Sequence, residues 1–396
     1  MSLELVENYF KSIGMHRPKS DGVYVKQGRK RFGKPFEDLT LVIGSRANGI
    51  EIDPYELKNS SLELSLYVGE HHTSPMWREF ASWLVRENID KPSHVLDLGC
   101  ENGVLTCLYG SLWPDAKVIG VERSPAAVAC ARKLAASLGL QNVCFEYADA
   151  RGYLGENAGR FQIIIASHAM HEILERERAR KPFQWKGEYE RIEDITLTDA
   201  DLYAIETLKA VGAGLTEDGF LISVDRSPTP ATMWWYAQCL EQAGMKVSLN
   251  RSYLIECQSP SGGERFPLTV ARRARRTDPR TTAEEIVSLA SFKKIAAMKM
   301  SFQEDAADAI VRSLGPTDLM FEAVCEYFDG SGVRTLRLLK TPTLLVLHDF
   351  TNHGFQTASL APLVALPDVL QQCAAITSEL EAHCTVHASV TEHGKR

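Results

Sequence analysis

The sequence lacks the paired cysteines of a disulfide framework or a zinc ribbon. Its nine cysteines are odd in number and scattered along 396 residues, and no Cys-x-x-Cys pair occurs. Zinc ribbons need closely spaced cysteine pairs, and disulfide frameworks are indicated by an even number of cysteines in a short chain. We therefore expect buried thiols, and we expect no metal site.

Long apolar runs and an amino-terminal signal are also missing. No apolar stretch approaches the roughly 20 residues that cross a bilayer. Glu4 and Glu7 stand where a signal peptide has basic residues followed by an apolar stretch. These absences predict a cytoplasmic protein with no membrane partner. The 27 glycines and 17 prolines are spread through the chain, which excludes collagen-like and largely disordered classes.

An excess of basic residues is absent as well. Lysine and arginine number 44 against 51 acidic residues, so the net charge is −7. Nucleic acid would have to be held by a local patch against this overall field. Residues 26–34 and 272–280 are basic runs, either of which could bind phosphate. A solvated hairpin or a linker is the commoner explanation of such runs, and we interpret 272–280 as a linker.

The middle of the chain alternates apolar runs with helical patterns. The runs are residues 94–98, 118–121, 143–145, 161–166 and 220–224. Runs this apolar and evenly spaced indicate buried parallel strands of an α/β sheet. Two further stretches, 246–256 and 265–272, predict an antiparallel hairpin at the sheet edge.

The flanks of this sheet differ from it in pattern. Residues 281–396 predict a small α+β domain, with a helical run after the capping pattern Ser301-x-x-Glu304, an antiparallel meander over 321–347 and a helix near 367–381. Residues 1–74 predict an α+β region with an amphipathic helix near 3–13 and a hairpin around 46–49. The predicted domains are thus 1–74, 75–276 and 281–396.

The most informative segment is Asp97-x-Gly99-x-x-x-Gly103, which joins a buried strand to a helix. Glycines permit tight dihedrals and close approach of a ligand, and the helix presents free N–H groups. Glu122 ends the next strand, where a carboxylate can accept hydrogen bonds from both hydroxyls of a ribose. Asp149 ends the strand after that. This pattern suits a charged, nucleotide-like ligand.

Residues 76–274 resemble the class I S-adenosylmethionine-dependent methyltransferases. The resemblance rests on the motif residues just described and on residues 163–172, which comprise the fourth strand and the segment after it. The resemblance implies a Rossmann-like sheet and S-adenosyl-L-methionine as cofactor. Its first motif would hold the methionine part, Glu122 the ribose diol and Asp149 the adenine amino group. The implied cofactor site comprises Asp97, Gly99, Cys100, Glu101, Gly103, Glu122, Arg123, Asp149, Ala150 and Ser167.

Glu101 departs from the family pattern, because glycine is commonest at its position. A carboxylate is therefore expected close to the amino-acid end of the ligand. A nicotinamide-binding Rossmann domain is the alternative interpretation of the same residues. Such a domain needs three glycines around the pyrophosphate, and Glu101 interrupts that series.

His168 and His171 are the candidate catalytic residues. Their His-x-x-His-Glu order does not match the zinc helix motif His-Glu-x-x-His. One imidazole could take a proton from an attacking amine, hydroxyl or phenol, and the alternative that both are structural stays open. Candidate substrate residues lie in the long connection after the fourth strand and beyond the fifth strand: Trp185, Asp225, Trp234 and Trp235.

Three functional classes follow from the sequence. The favoured one is a methyltransferase that acts on nitrogen or oxygen of a small molecule. The second acts on RNA or protein and uses the end domains for docking. The third is a non-catalytic cofactor-binding scaffold. The end domains are expected to shape the acceptor site or a homodimer interface.

Overall fold

The structure is a computed structural model. It describes residues 3–47, 54–87, 89, 91–174, 199–225, 230–248, 251–260, 262–274, 301–303, 307–308, 311–312, 314, 317–341 and 344–390. The chain folds into two compact units. The first comprises residues 1–184, 198–227 and 239–279, and the second comprises 185–197, 228–238 and 280–396. The three-domain division stays a prediction.

The amino-terminal part of the first unit contains helices and no strand among its described residues, so the strands expected there in an α+β region are not found. Its helices are α1 (Leu3–Ser12), α2 (Asp21–Phe32), α3 (Lys34–Ala47), α4 (Tyr55–Lys58), α5 (Leu62–His72) and α6 (Ser74–Glu87). The hairpin predicted around 46–49 is wrong for Arg46 and Ala47, which end α3, whereas Asn48 and Gly49 lie outside the described residues. Phe36 and Leu39 are both fully buried, a helical spacing that a turn signal alone does not reveal.

The first unit is built on one eight-stranded sheet. Its strands are β1 (His94–Leu98), β2 (Lys117–Glu122), β3 (Val143–Tyr147), β4 (Phe161–Ser167), β5 (Leu215–Val224), β6 (Met245–Val247), β7 (Tyr253–Ser259) and β8 (Gly262–Arg273). The helices that accompany it are α7 (Val104–Leu112), α8 (Pro125–Ser137), α9 (Ala150–Glu156), α10 (Met170–Leu174), α11 (Leu202–Gly214) and α12 (Pro230–Gln242). Residues 230–238 of α12 belong to the second unit, and the rest of α12 belongs to the first.

The strand order is β3-β2-β1-β4-β5-β8-β6, with β7 paired to β8. Strands β1 to β5 are parallel, as their apolar runs predict. The expected antiparallel hairpin is present as β7 and β8. Strand β8 also inserts between β5 and β6, so the stretch read as one strand over 246–256 is divided into β6 and β7. The α/β methyltransferase-like sheet is confirmed.

The second unit carries a six-stranded antiparallel sheet. Its elements are β9 (Ser301–Gln303), β10 (Asp318–Tyr327), β11 (Val333–Lys340), β12 (Leu344–Thr351), β13 (Gln356–Pro362), α13 (Leu366–Leu380) and β14 (Cys384–Val390). The order is β14-β10-β11-β12-β13-β9, and Val369 and Cys373 of α13 pack in its core. The predicted meander and closing helix are confirmed. The predicted helical run is borne out in part, since residues 307, 308, 311 and 312 are helical, but it does not begin at Ser301. Ser301 lies in β9, which pairs with β13, a nonlocal contact that a local capping pattern cannot indicate.

None of the described helices combines the length and the apolar character needed to cross a membrane.

Candidate active site

A cavity of about 340 Å³ lies at the carboxyl ends of β1 to β4. Strand β1 lies between β2 and β4, so the chain reverses its direction of travel across the sheet here. Open α/β sheets bind ligands at such switch points. Nine of the ten predicted cofactor residues line the cavity: Asp97, Gly99, Cys100, Glu101, Glu122, Arg123, Asp149, Ala150 and Ser167.

The turn between β1 and α7 has left-handed backbone at Gly99, Glu101 and Gly103, with φ of 67°, 47° and 75°. A Cβ on Gly99 would lie 2.6 Å from the Cβ of Ala169, which also lines the cavity. A Cβ on Gly103 would lie 2.7 Å from the Phe145 ring. Gly103, the tenth predicted residue, therefore keeps the turn close to the sheet and is not found among the lining residues.

Asp97 is a buried carboxyl group in the cavity wall, only 2% exposed. The hydroxyl of Thr106 donates to its Oδ2 at 2.5 Å. Burial raises the pKa of Asp97 to about 7, the Thr106 hydrogen bond opposes this, and the charge of Glu122 adds to it. A bound cation would favour the ionised form of this group.

The carboxylate of Glu122 accepts hydrogen bonds from two loops. Its Oε1 accepts the main-chain N–H groups of Arg123 and Ser124 at 2.7 and 2.9 Å, and its Oε2 accepts the N–H of Glu101 at 3.1 Å. Burial raises the pKa of Glu122, and these hydrogen bonds act against that rise. The carboxylate thus lies at the cavity rim, joining the glycine turn to the end of β2.

Asp149 caps helix α9. Its Oδ1 accepts the main-chain N–H groups of Arg151 and Gly152 at 3.0 and 3.3 Å. The cap fixes this carboxyl group at the cavity, next to Ala150, the first residue of α9. Its role toward adenine stays a prediction.

The remaining cofactor candidates differ in character. Cys100 is buried, and burial raises the pKa of its thiol well above the ordinary value, so the thiol stays neutral. The Arg123 guanidinium is half exposed and lies 3.7 Å from Oε2 of Glu172. Ser167 ends β4.

Glu101 has a cationic partner that the sequence did not indicate. The Nζ of Lys58, from α4, lies 2.5 Å from its Oε1, and both side chains are only 15% exposed. Both residues line the cavity. The carboxylate expected near the amino-acid end of the ligand is therefore part of an ion pair.

Helix α4 contacts two further segments at the same end of the sheet. The hydroxyl of Tyr55 donates to Oε1 of Glu172, in α10, at 2.7 Å. The Ser124 hydroxyl, after β2, donates to Oε1 of Glu56 at 2.8 Å. With the pair at Lys58, this short helix contacts the turn after β1, the segment after β2 and the helix after β4.

The amino-terminal helices also supply apolar wall. These helices and their ends also supply Tyr55, Lys58, His72 and Thr73, and their apolar lining residues are Leu39, Ile43, Val68 and Trp77. The sequence did not indicate these apolar residues as part of a site, because apolar residues at helical spacing predict only helix packing.

His168 and His171 have different surroundings. His168 lines the cavity, has a left-handed φ of 57°, and donates its main-chain N–H to the Val224 carbonyl at 2.6 Å. Nδ1 of His171 lies 2.6 Å from Oδ1 of Asp225, whose Oδ2 accepts the main-chain N–H of His171 at 2.7 Å. The two imidazole rings are 5.2 Å apart. Among the described residues, His168 is thus the histidine of the pair on the cavity wall.

Asp225 is the negatively charged member of the cluster that it forms with His168 and His171. Burial acts to raise the pKa of its carboxyl group, but the imidazoles of His171 and His168 and the hydrogen bonds from His171 hold the pKa below its usual range. Ligand atoms of the three residues lie within 4.8 Å of one another, a spacing that could also hold a metal ion. The residue order in the sequence did not indicate this cluster, because Asp225 reaches it from a different strand.

The predicted substrate residues are placed only in part. Asp225 contacts His171, and the cavity lining over the described residues includes His168 but not Asp225. Trp235 is 3% exposed in α12, which identifies it as a core residue. Trp185 and the side chain of Trp234 lie outside the described residues.

Comparisons with known proteins agree with this geometry. Residues 89–184 match a family model described as a methyltransferase domain. A trans-aconitate 2-methyltransferase of Escherichia coli O1:K1 is 33% identical over 94 residues, which are 24% of this chain and 34% of that protein. The chain thus spans about a third of the length of such curated relatives.

The solved structures that match this chain include methyltransferases of low identity. A SAM-dependent methyltransferase from Aquifex aeolicus is 17% identical, with a TM-score of 0.32 over 48% of this chain and 88% of that one. A mitomycin 7-O-methyltransferase is 16% identical, with a TM-score of 0.37 over 61% of this chain and 68% of that one.

Strands β1 to β4, the glycine turn and the carboxyl groups at three successive strand ends lie within the segment that the family model matches. Residues 89–184 of this chain are a class I S-adenosylmethionine-dependent methyltransferase domain.

Proposed function

We propose that this chain transfers a methyl group from S-adenosylmethionine to a nitrogen or oxygen atom of a small-molecule acceptor. The observation that carries the proposal is the convergence of Asp97, Glu122 and Asp149 on one cavity beside the glycine turn. Three carboxyl groups at successive strand ends suit an amino group, a ribose diol and an adenine amino group of one ligand.

The residues present fit this cofactor. Asp97 is a buried carboxyl group with a pKa of about 7, and a bound ammonium group would supply the cation that stabilises its charge. Gly99 leaves room where a side chain would collide with Ala169. When bound, the cofactor supplies a methyl group already activated by its sulfonium.

The protein's contribution is to position the acceptor and to take its proton. Holding reactants in line can supply roughly 7 to 11 kcal/mol of the acceleration in favourable cases. In the transfer, the acceptor's lone pair would form the new bond to the methyl carbon as the carbon–sulfur bond broke, and the sulfur would leave as a neutral thioether. His168 lines the cavity and takes the proton from a nitrogen or hydroxyl acceptor, and Asp225 beside the imidazoles stabilises the resulting charge.

A small acceptor is supported by the character of the wall. Residues of the amino-terminal helices, including Trp77 and Ile43, enclose the cavity with apolar surface. The net charge of −7 disfavours nucleic acid. The matched relatives are named for a small acid, trans-aconitate, although this chain covers a minor part of them.

The first prediction concerns cofactor binding. Wild-type protein is expected to bind S-adenosylhomocysteine, and Glu122→Ala is expected to weaken binding by about 1 to 3 kcal/mol, the usual cost of losing charged hydrogen bonds. Isothermal calorimetry measures both values. Because Glu122 also holds the N–H of Glu101, the melting temperature of the variant is measured in parallel.

Glu146→Ala is the matched control, since Glu146 is an exposed acid on β3 that does not line the cavity. It is expected to leave the dissociation constant unchanged. Tight binding of NADH without binding of S-adenosylhomocysteine would overturn the proposal.

The acceptor class is tested with a panel of carboxylic acids including trans-aconitate, phenols and amines. Release of S-adenosylhomocysteine from S-adenosylmethionine is measured for each. Turnover with structured RNA or protein, and with no small molecule, would favour macromolecular methylation instead.

A further inference from the structure

The Lys58–Glu101 ion pair occupies the part of the cavity formed by the glycine turn. Glu101 lies between Gly99 and Gly103 in that turn and has φ of 47°, a region that side chains other than glycine seldom occupy. Its carboxylate lies 2.5 Å from the Lys58 ammonium, and each side chain is 15% exposed. Charges this shielded from water interact strongly with their neighbours.

The surroundings of this pair are acidic. Asp97 and Glu122 line the same cavity, and the charge of Glu101 contributes to the raised pKa of Glu122. A ligand with a carboxylate group would meet repulsion here unless a cation were present. Arg123 also lines the cavity, but it is half exposed and lies near Glu172. Among the lining residues that the structure describes, Lys58 is thus the shielded ammonium group beside the turn.

We propose that Lys58 determines specificity for the carboxylate of the cofactor's amino-acid end, an inference that rests on the proposed function. Glu101 holds the Lys58 ammonium beside the turn, and Lys58 offsets the negative charge of Glu101. Asp97 receives the amino group of the same end. Glu101, at a turn position where glycine is commonest in the family, therefore acts together with Lys58 of α4 in recognising this carboxylate.

Two substitutions break the same ion pair with opposite electrostatic results. Lys58→Met leaves an uncompensated carboxylate facing the carboxylate of the ligand. Glu101→Gln leaves an ammonium group there and retains a side chain of the same shape. A pair that serves only to hold α4 in place would respond equally to both changes.

The experiment measures the affinity of each variant for two probes by calorimetry. S-adenosylhomocysteine has the amino-acid end, and 5′-methylthioadenosine lacks it. For Lys58→Met, the dissociation constant of S-adenosylhomocysteine is expected to rise at least about tenfold, as for loss of a charged hydrogen bond. For Glu101→Gln it is expected to stay unchanged or to fall. Binding of 5′-methylthioadenosine is expected to stay unchanged in both variants, which also shows that they fold.

Lys117→Met is the control, because Lys117 is exposed at the amino end of β2, away from the cavity. Equal losses for the two variants, equal losses for the two probes, or an unchanged Lys58→Met affinity would each overturn the inference. A wild-type protein that binds neither probe would instead contradict the proposed function.

Discussion

Replacing His168 with asparagine is expected to lower kcat by about 10²- to 10⁴-fold, the usual contribution of a general base. The affinity for S-adenosylhomocysteine should change little, because proton transfer is used only in the transition state. Asparagine is the informative substitution, since it tolerates the left-handed backbone that His168 adopts, with φ of 57°. A loss of activity then reports on the imidazole and not on backbone strain.

The measurement compares pH–rate profiles with the acceptor found in the panel. The profiles are of kcat at saturating cofactor, because protonation of Asp97 weakens cofactor binding toward acid in both proteins. Wild-type kcat should then fall toward acid, and His168→Asn should lose that acid limb. His94→Asn, at the amino end of β1, is the matched control. Because the cluster of His168, His171 and Asp225 has metal-site spacing, activity is also measured after EDTA treatment and is expected to persist. A wild-type kcat in His168→Asn would remove this residue from the mechanism.

Cofactor affinity is expected to fall about tenfold when the pH is lowered from 8 to 6. Asp97 has a pKa of about 7 in the free protein, so its ionised fraction falls about tenfold over this range. An ammonium group binds to the ionised form, which makes binding more favourable as the pH rises through 7. Calorimetry at pH 6, 7 and 8 measures the dependence.

Asp97→Asn should flatten this dependence and weaken binding at pH 8 by about 10- to 100-fold, since a charged hydrogen bond is lost. The same variant should be more stable without ligand at pH 8. The folded-state pKa of Asp97 lies above its ordinary value of 3.8, so the carboxyl group costs stability as the pH rises from about 4 through 7. The gain in melting temperature should therefore disappear near pH 4.

Asp115→Asn, an exposed carboxyl group before β2, is the control and should change neither affinity nor stability. Wild-type affinity that does not vary between pH 6 and 8 would contradict the role given to Asp97.

The sheet and the acidic half of the site could be predicted because their signals are local. Asp97, Glu122 and Asp149 each end an apolar run, and parallel strands place their carboxyl ends at one edge. Gly99 and Gly103 mark a turn whose dihedrals few other residues adopt. Chain order and residue type were sufficient for these positions.

The other half of the site depends on tertiary contacts that leave no local pattern. Lys58 belongs to a four-residue helix, and Tyr55 on that helix meets Glu172, 117 positions further along the chain. One clue was present: a carboxylate at position 101 in an acidic turn needs a cation nearby. The sequence alone could not say which of many lysines and arginines supplies it.

The different surroundings of the two histidines were equally nonlocal. Their three-residue spacing suggested one shared helix face, but His168 is left-handed and precedes α10. Asp225 was interpreted as a substrate residue from its position after β5, whereas it contacts His171. The pairing of β5 with β4 brings these residues together.

The contacts of α4 with three segments around the cavity link its local opening to occupancy of the site. Tyr55, Glu56 and Lys58 must separate from their partners for this helix to unfold locally. A ligand that binds only when these segments are in place raises the free energy of that opening. Amide hydrogen exchange in residues 55–59 should therefore slow when S-adenosylhomocysteine binds, so that the amino-terminal helices report ligand occupancy through their exchange rates.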